Sequence, residues 1–143
     1  MNHKCIIVDV DGTVALMYGN RTPFEWDKVN SDKPNKWVIK LIQSFIMVND
    51  DVHLIFLSGR SNECYDATHK WLTDYFPDNE FLLFMRPTEQ LYEPDSKIKF
   101  ELYNKNVRPH YEVLFVVDDR QQVVDMWRNV AALPVAQVAA GNF

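Results

Sequence analysis

Only two cysteines occur in the chain, Cys5 and Cys64, too few for a disulfide framework. A reducing, cytoplasmic setting is the expectation. No apolar run approaches the roughly 20 residues of a membrane-spanning helix, so no membrane role is expected. Asp9 interrupts the apolar stretch near the N-terminus, which argues against a secretory signal. Positive charge is in the minority. Against 20 Asp and Glu stand 15 Lys and Arg, a net charge of −5. No global basic field recruits nucleic acid, and an anionic substrate must be captured by local charges. No GxxxxGK[ST] phosphate loop is present. Nor is there a repeat, a low-complexity tract or a linker. At 143 residues the chain has the size of one domain, residues 1–143, with room for a real core.

What is present alternates. Short apolar runs at Cys5–Val8, Val52–Leu57, Phe81–Met85, Val113–Val117 and Pro134–Val138 read as strands. Between them, helical spacing predicts helices over Lys36–Val48, Glu63–Tyr75, Asp95–Asn104 and Gln121–Asn129. In the first of these Val38, Leu41, Ile42, Phe45 and Ile46 make one apolar face. Phe76-Pro77 closes the second. Strands this apolar on both faces predict a parallel sheet covered by helices, an α/β fold of three Rossmann-like layers.

Ligands of such sheets gather beyond the carboxyl ends of the strands. The residues that follow each run are Asp9, Asp11, Gly12 and Thr13; then Ser58, Gly59 and Arg60; then Arg86; then Asp118 and Asp119. Acids, a serine and two arginines, far apart in sequence, thus share one rim. The stretch VDVDGTVA raises a specific question, since a buried strand ends on two carboxylates that repel one another. Two such groups push their pKa values apart, which suits one to be ionised and the other to carry a proton.

The run Asp9-Val-Asp-Gly-Thr resembles the first signature of the haloacid-dehalogenase-like phosphotransferases. Ser58, Lys99 and the pair Asp118-Asp119 match that superfamily's other three signatures in order. More narrowly, SGR at 58–60, DSKIK at 95–99, VDDRQQVVDMWR at 117–128 and the ending QVAAGNF resemble the 3′-phosphatase domain of bacteriophage polynucleotide kinase. The likeness covers essentially the whole chain. It implies a polynucleotide 3′-phosphatase that acts through an aspartyl-phosphate intermediate. The absent phosphate loop leaves no kinase half in these residues.

The resemblance assigns the residues as follows. Asp9 is the nucleophile, ionised at neutral pH at its ordinary pKa of about 3.9. Asp11 is the general acid and base. Lys99 neutralises the nucleophile and the transferred group. Mg²⁺ falls to Asp9, the backbone carbonyl of Asp11, and Asp119, with Asp118 in support. Thr13, Ser58 and Gly59 hold phosphate oxygens, and Arg60 clamps two of them through its planar fork. Arg21 matches a further phosphate-binding arginine once one inserted residue is allowed near Tyr18–Asn20. Asp95, four residues before Lys99, orients that lysine or caps its helix. Asp119 has a competing use as the cap of the following helix. No role is carried onto Arg86. His53, His69 and His110 show no metal-ligand spacing and are expected to be structural or exposed.

About two dozen residues separate Asp11 from the Lys36 helix, too few for a large cap domain. An open site would admit the end of a polymer, DNA or RNA. Phe24 and Trp26 in that stretch could stack on a terminal base, but local packing is the commoner use of such rings. Homo-oligomer formation is left open. Two rivals stand beside this reading. One is a small-molecule phosphatase of the same superfamily. The other is a non-enzymatic phospho-receiver domain, whose acid pair would follow the first strand and whose phosphoacceptor would follow the third.

Overall fold

The computed structural model describes residues 2–17, 22 and 25–142. Five strands, β1 His3–Val8, β4 Val52–Ser61, β5 Phe81–Arg86, β6 Tyr111–Arg120 and β7 Val135–Gly141, form one sheet in the order β5-β4-β1-β6-β7. Every neighbouring pair is parallel. The helices are α1 Lys36–Val48, α2 Tyr65–Tyr75, α3 Asp95–Leu102 and α4 Gln121–Asn129. A two-stranded antiparallel flap, β2 Ala15–Leu16 with β3 Lys33–Pro34, projects after the first turn.

The sheet is parallel and double-faced because its central strands carry unbroken apolar runs, so that both faces need cover. Cys5, Ile6, Ile7 and Val8 are all buried. Successive side chains of a strand point to opposite faces. Ile6 and Val8 join one core with Leu54, Phe56, Val38, Ile42, Trp71 and Leu72, under α1 and α2. Cys5 and Ile7 join the other with Ile55, Leu57, Ile98, Val123 and Trp127, under α3 and α4. The expected three-layer α/β architecture is thus the observed one.

The strand order also locates a crevice. From β1 the chain moves outward through β4 to β5, then crosses back to β6 and β7. The direction reverses between β1 and β6, and ligands favour that switch point at the carboxyl ends of the strands. Asp9 follows β1, and Asp118 and Asp119 close β6.

Four details depart from the sequence expectations. Strand β4 runs on to Ser61 and β6 to Arg120, so Ser58–Arg60 and Asp118–Asp119 belong to strands. Each extension carries a register slip, between Ser58 and Ser61 and between Asp118 and Arg120. Such slips re-aim side chains at a sheet's rim, where polar residues make a pattern reading stop too early. On α1 the buried positions are Val38, Ile39 and Ile42, while Leu41 is 52% exposed. Phe45 and Ile46 pack against the same core as expected, so the apolar face holds except that Ile39 takes the place of Leu41. Asn62–Cys64 is a 3-10 turn ahead of α2, and α3 gives way at Tyr103–Val107 to a π turn. Neither Asp95 nor Asp119 caps a helix through its side chain: Pro94 and Arg120 hold those positions, with no side-chain cap bond. Trp26 packs against the first core from a 3-10 turn over Trp26–Ser31. His53, His69 and His110 are exposed. Among the described residues, no helix is long and apolar enough to cross a membrane.

Candidate active site

Asp9 hangs directly off the centre of the sheet. Its backbone N–H donates to Val117 O at 2.9 Å, which ties the end of β1 to β6. The next residues fold into a tight turn whose N–H groups at Thr13, Val14 and Ala15 all converge on Val10 O. Gly12 makes the turn possible, with φ at +81°, a conformation that side chains disfavour. A Cβ there would also lie 2.1 Å from Asp119 Oδ2. The turn is pinned from outside by Asn35, whose side chain donates to Thr13 O at 2.9 Å.

The Asp9 carboxylate is shared between two donors. Lys99 Nζ lies 2.5 Å from Oδ1, and Thr13 Oγ1 donates to Oδ2 at 2.9 Å. The same hydroxyl lies 3.4 Å from Asp119 Oδ1. Lys99 reaches this point from the middle of α3 with its side chain almost wholly buried. It also donates to Asp118 Oδ2 at 3.1 Å. Asp118 is occupied on both sides. Oδ2 accepts from Trp127 Nε1 at 3.3 Å, and Oδ1 accepts from the backbone N–H of Asp119 at 2.8 Å.

Asp11 faces a different cation. Arg60 donates to it from Nε at 3.1 Å and from Nη2 at 2.7 Å. Nη2 also donates to Asp32 Oδ2 at 2.6 Å, and Nη1 to Thr68 Oγ1 at 3.0 Å. The guanidinium that the resemblance aims at a substrate phosphate therefore meets three protein groups here. Asp32 is a functional candidate that sequence reading missed. It lies in the connection between the 3-10 turn and β3, is buried, and its backbone carbonyl accepts from Trp71 Nε1 at 3.1 Å. Its local sequence, NSDKP, reads as an ordinary solvated turn, so only the long-range pairing reveals it.

A third group braces the rim. Asp95 stands 4.0 Å from Lys99 Nζ, 3.5 Å from Arg120 Nη1 and 3.5 Å from Arg86 Nη2. Gly59 lies so close that a Cβ on it would sit 1.7 Å from Asp95 Oδ1. Arg86 staples the loop after β5, donating to the carbonyls of Gly59, Gln90 and Glu93 at 2.6–2.8 Å. Ser58, buried in β4, accepts from the Arg60 N–H at 3.1 Å. Asp9, Asp11, Thr13, Ser58, Gly59, Arg60, Asp95, Lys99, Asp118 and Asp119 are thus brought to one rim. Arg21 and Phe24 lie outside the described residues.

The electrostatics follow from burial. Desolvation, then the charge of Asp118, pushes Asp9 well above the usual carboxylate range, with Lys99 pulling the other way, so the ordinary value expected from the sequence does not hold at this buried position; a cation beside the carboxylate would favour its ionised form. Asp119 is raised by burial too, against its bond to Asp9. Burial opposes the charge on Lys99, but Asp118, Asp9 and Asp95 outweigh it and hold the ammonium well above its ordinary range. Arg60 is likewise kept charged by Asp11 and Asp32 against its desolvation.

Asp9, Asp118 and Asp119 bring carboxylate oxygens within 4.8 Å of one another, all buried. Lys99 balances only part of that charge. An all-oxygen, acid-rich set with unmet positive demand fits a divalent cation, and a hard one. Each Asp118 oxygen accepts from two donors, whereas each Asp9 oxygen accepts from one, so Asp9 and Asp119 are the carboxylates with more capacity to offer.

A buried aspartate bonded to a buried lysine, at the switch point of a doubly wound sheet and beside acids that could hold a cation, is the arrangement of a phosphatase, and the comparisons agree. The chain belongs to the family of polynucleotide kinase PNKP phosphatase domains, whose model matches residues 3–143. It is similar to the "Putative bifunctional polynucleotide kinase/RNA ligase" of Autographa californica nuclear polyhedrosis virus, 35% identical over 128 residues, which cover 89% of this chain and 18% of that protein. It is also similar to a chain of the Pnkp1/Rnl/Hen1 complex, with a TM-score of 0.89 and 38% identity over 99% of this chain and 48% of that one. A second structure, of the Pnkp1/Rnl/Hen1 RNA repair complex, gives 0.88 and 37% over 99% of this chain and 44% of the other. The chain spans from about a fifth to about half of the length of these relatives.

Proposed function

We propose that the chain is a Mg²⁺-dependent phosphatase that removes terminal 3′-phosphates from polynucleotides through a phosphoaspartate on Asp9. What carries this reading is the division of two neighbouring carboxylates between two cations. Asp9 is held by Lys99 and Asp11 by Arg60. They differ in exposure: Asp9 is buried within the acid cluster, where it can attack, while about a third of the Asp11 side chain is open to a leaving group and to water, where it can move a proton.

In the first half-reaction an Asp9 oxygen attacks phosphorus while the bond from phosphorus to the 3′ oxygen breaks. Asp11 gives its proton to the departing oxygen. In the second, Asp11 takes a proton from water as that water attacks the acyl phosphate, which frees Asp9 and inorganic phosphate. Asp32 shares the charge of Arg60, so Asp11 does not neutralise the guanidinium alone. Lys99 and the N–H groups near Ser58 and Gly59 face the anion that develops. Thr13 fixes the Asp9 carboxylate. Asp9, the Asp11 carbonyl and Asp119 would hold the cation, which when bound offsets the charge of acids and phosphate. Two free thiols, Cys5 and Cys64, support a reducing cytoplasmic setting.

The test compares a 3′-phosphorylated oligonucleotide with its 5′-phosphorylated isomer and a free sugar phosphate. Phosphate should be released fastest from the 3′ end, on DNA or RNA. Equal rates on all three would reduce the protein to a generic phosphatase. Without a GxxxxGK[ST] loop, these residues should not move the γ-phosphate of ATP to a 5′ hydroxyl.

A further inference from the structure

Behind the Arg86 loop, on the outer side of β5, lies a cleft of about 490 Å³ that the chemistry above does not use. We infer that this cleft receives a nucleobase of the substrate strand, upstream of the phosphorylated end. The inference rests on the 3′-phosphatase reading and specifies where that enzyme grips its polymer.

Lining chemistry favours a base over a phosphate. The walls carry the rings of Tyr65 and Phe84 and the amides of Asn62, Gln90 and Asn106. Glu101 and Lys105 contribute one charge of each sign. An aromatic and apolar space of this size, edged by amides, suits a flat heterocycle, which stacks on a ring and offers polar edges to Asn62 and to the remaining amide groups of Gln90 and Asn106, one donor of each being engaged with Glu101 and with Leu102 O. A phosphate would meet Glu101, whose carboxylate already accepts from Gln90 Nε2 at 3.3 Å.

Local backbone supports a built site. The π turn Tyr103–Val107 presents Lys105 and Asn106 to the cleft. Such turns are rare and are frequently found at functional sites. The cleft is also joined to the phosphate rim. Asn62 follows the strand that holds Ser58 to Arg60, and Pro87 follows Arg86, whose Nε donates to Gly59 O at 2.7 Å. In the sheet β5 is two strands from β1, about 10 Å at the usual strand spacing. That distance places the cleft beyond the terminal sugar and within reach of an interior nucleotide.

The experiment replaces the bases of a 3′-phosphorylated oligonucleotide one at a time with abasic sites. The probes are the full chain, a Tyr65→Leu variant that keeps apolar bulk, and a Lys105→Glu variant at an exposed position. The wild type should lose about tenfold in kcat/KM at one interior abasic position. Tyr65→Leu should remove most of that penalty, because the missing base then costs nothing further. Lys105→Glu should lower kcat/KM on the oligonucleotide relative to p-nitrophenyl phosphate. A merely structural defect would slow every substrate by the same factor and leave the abasic penalty intact, which would overturn the inference. So would a wild type with no interior penalty. If 3′-phosphorylated oligonucleotide and sugar phosphate react equally, the 3′-phosphatase reading fails as well; if only the penalty is missing, the cleft alone is refuted.

Discussion

The Arg60 guanidinium lies edge-on against the Asp11 carboxylate, with Nη2 2.7 Å from Oδ1, and the same nitrogen lies 2.6 Å from Asp32 Oδ2. Arg60 is almost fully buried, whereas about a third of the Asp11 side chain is exposed. The acid proposed to meet a leaving group is thus held from behind by a buried cation, and that cation is paired with a second, buried acid.

Asp32→Asn keeps an acceptor but removes the charge, and should therefore impair Asp11 rather than Asp9. Departure of an alkoxide needs a proton, while departure of p-nitrophenolate does not. The expected result is a loss of at least about tenfold in kcat on a nucleoside 3′-phosphate, within the range that general acids supply. The loss on p-nitrophenyl phosphate should be clearly smaller. Equal losses on both would assign Asp32 to folding alone, where removal of one partner of a buried pair costs about 3–5 kcal/mol.

The core strands and the acids that end them were legible because both signals are local. Four successive apolar residues before Asp9 demand cover on both faces, and polar residues stop such runs. Lys36–Val48 and Gln121–Asn129 were legible to the residue, each being a periodic helix with clear ends. The flap was not, since strands of two residues carry no period. Asp32 was not, because its burial is set by Arg60, 28 positions later. Arg60 itself was placed on the right rim, but sequence order cannot say which anion on a rim an arginine faces. Asn35, which holds the Asp9 turn through Thr13 O, has no local signature beyond a polar residue ahead of a helix.

Asp9→Asn and Asp11→Asn should both abolish turnover, and the phosphoenzyme should separate them. Without Asp9 no covalent adduct can form, so denatured protein should carry no acid-stable label from a 3′-³²P substrate. Without Asp11, attack remains feasible on a good leaving group, and hydrolysis of the adduct lacks its base. A trapped label in Asp11→Asn and none in Asp9→Asn is expected. Label in Asp9→Asn would sink the mechanism.

Cys5 makes stability depend on alkaline pH. Burial in the second core pushes its thiol from 9.0 up to about 12. Above pH 9 the unfolded chain releases this proton and the folded chain keeps it, so the unfolded state gains. The contribution is fully present below about pH 9 and is lost as pH rises towards 12, at up to about 1.4 kcal/mol per pH unit. Thermal melting of wild type should therefore fall more steeply across that window than melting of Cys5→Val. A thiol reagent at pH 8 should leave Cys5 unmodified until denaturant is added. Parallel melting curves for the two proteins above pH 9 would contradict the assignment.

Divalent metal should raise the melting temperature in the absence of substrate. The buried group of Asp9, Asp118 and Asp119 carries more negative charge than Lys99 offsets, and this deficit opposes folding until a cation enters. Binding to the folded state alone stabilises it by about 2.7 kcal/mol at a hundredfold excess over Kd. For a chain of this size that corresponds to roughly 9 °C. Asp119→Asn should melt higher than wild type without metal, because a buried charge is gone, and should respond less when Mg²⁺ is added. Gly12→Ala should lose the response by another route. Its Cβ would collide with Asp119 Oδ2 and would have to sit at positive φ, at a cost of about 1–2 kcal/mol. Activity should vanish in excess chelator and return with Mg²⁺. Identical metal titrations of melting temperature for wild type and Asp119→Asn would remove Asp119 from the cation site, whatever the activities of the two proteins.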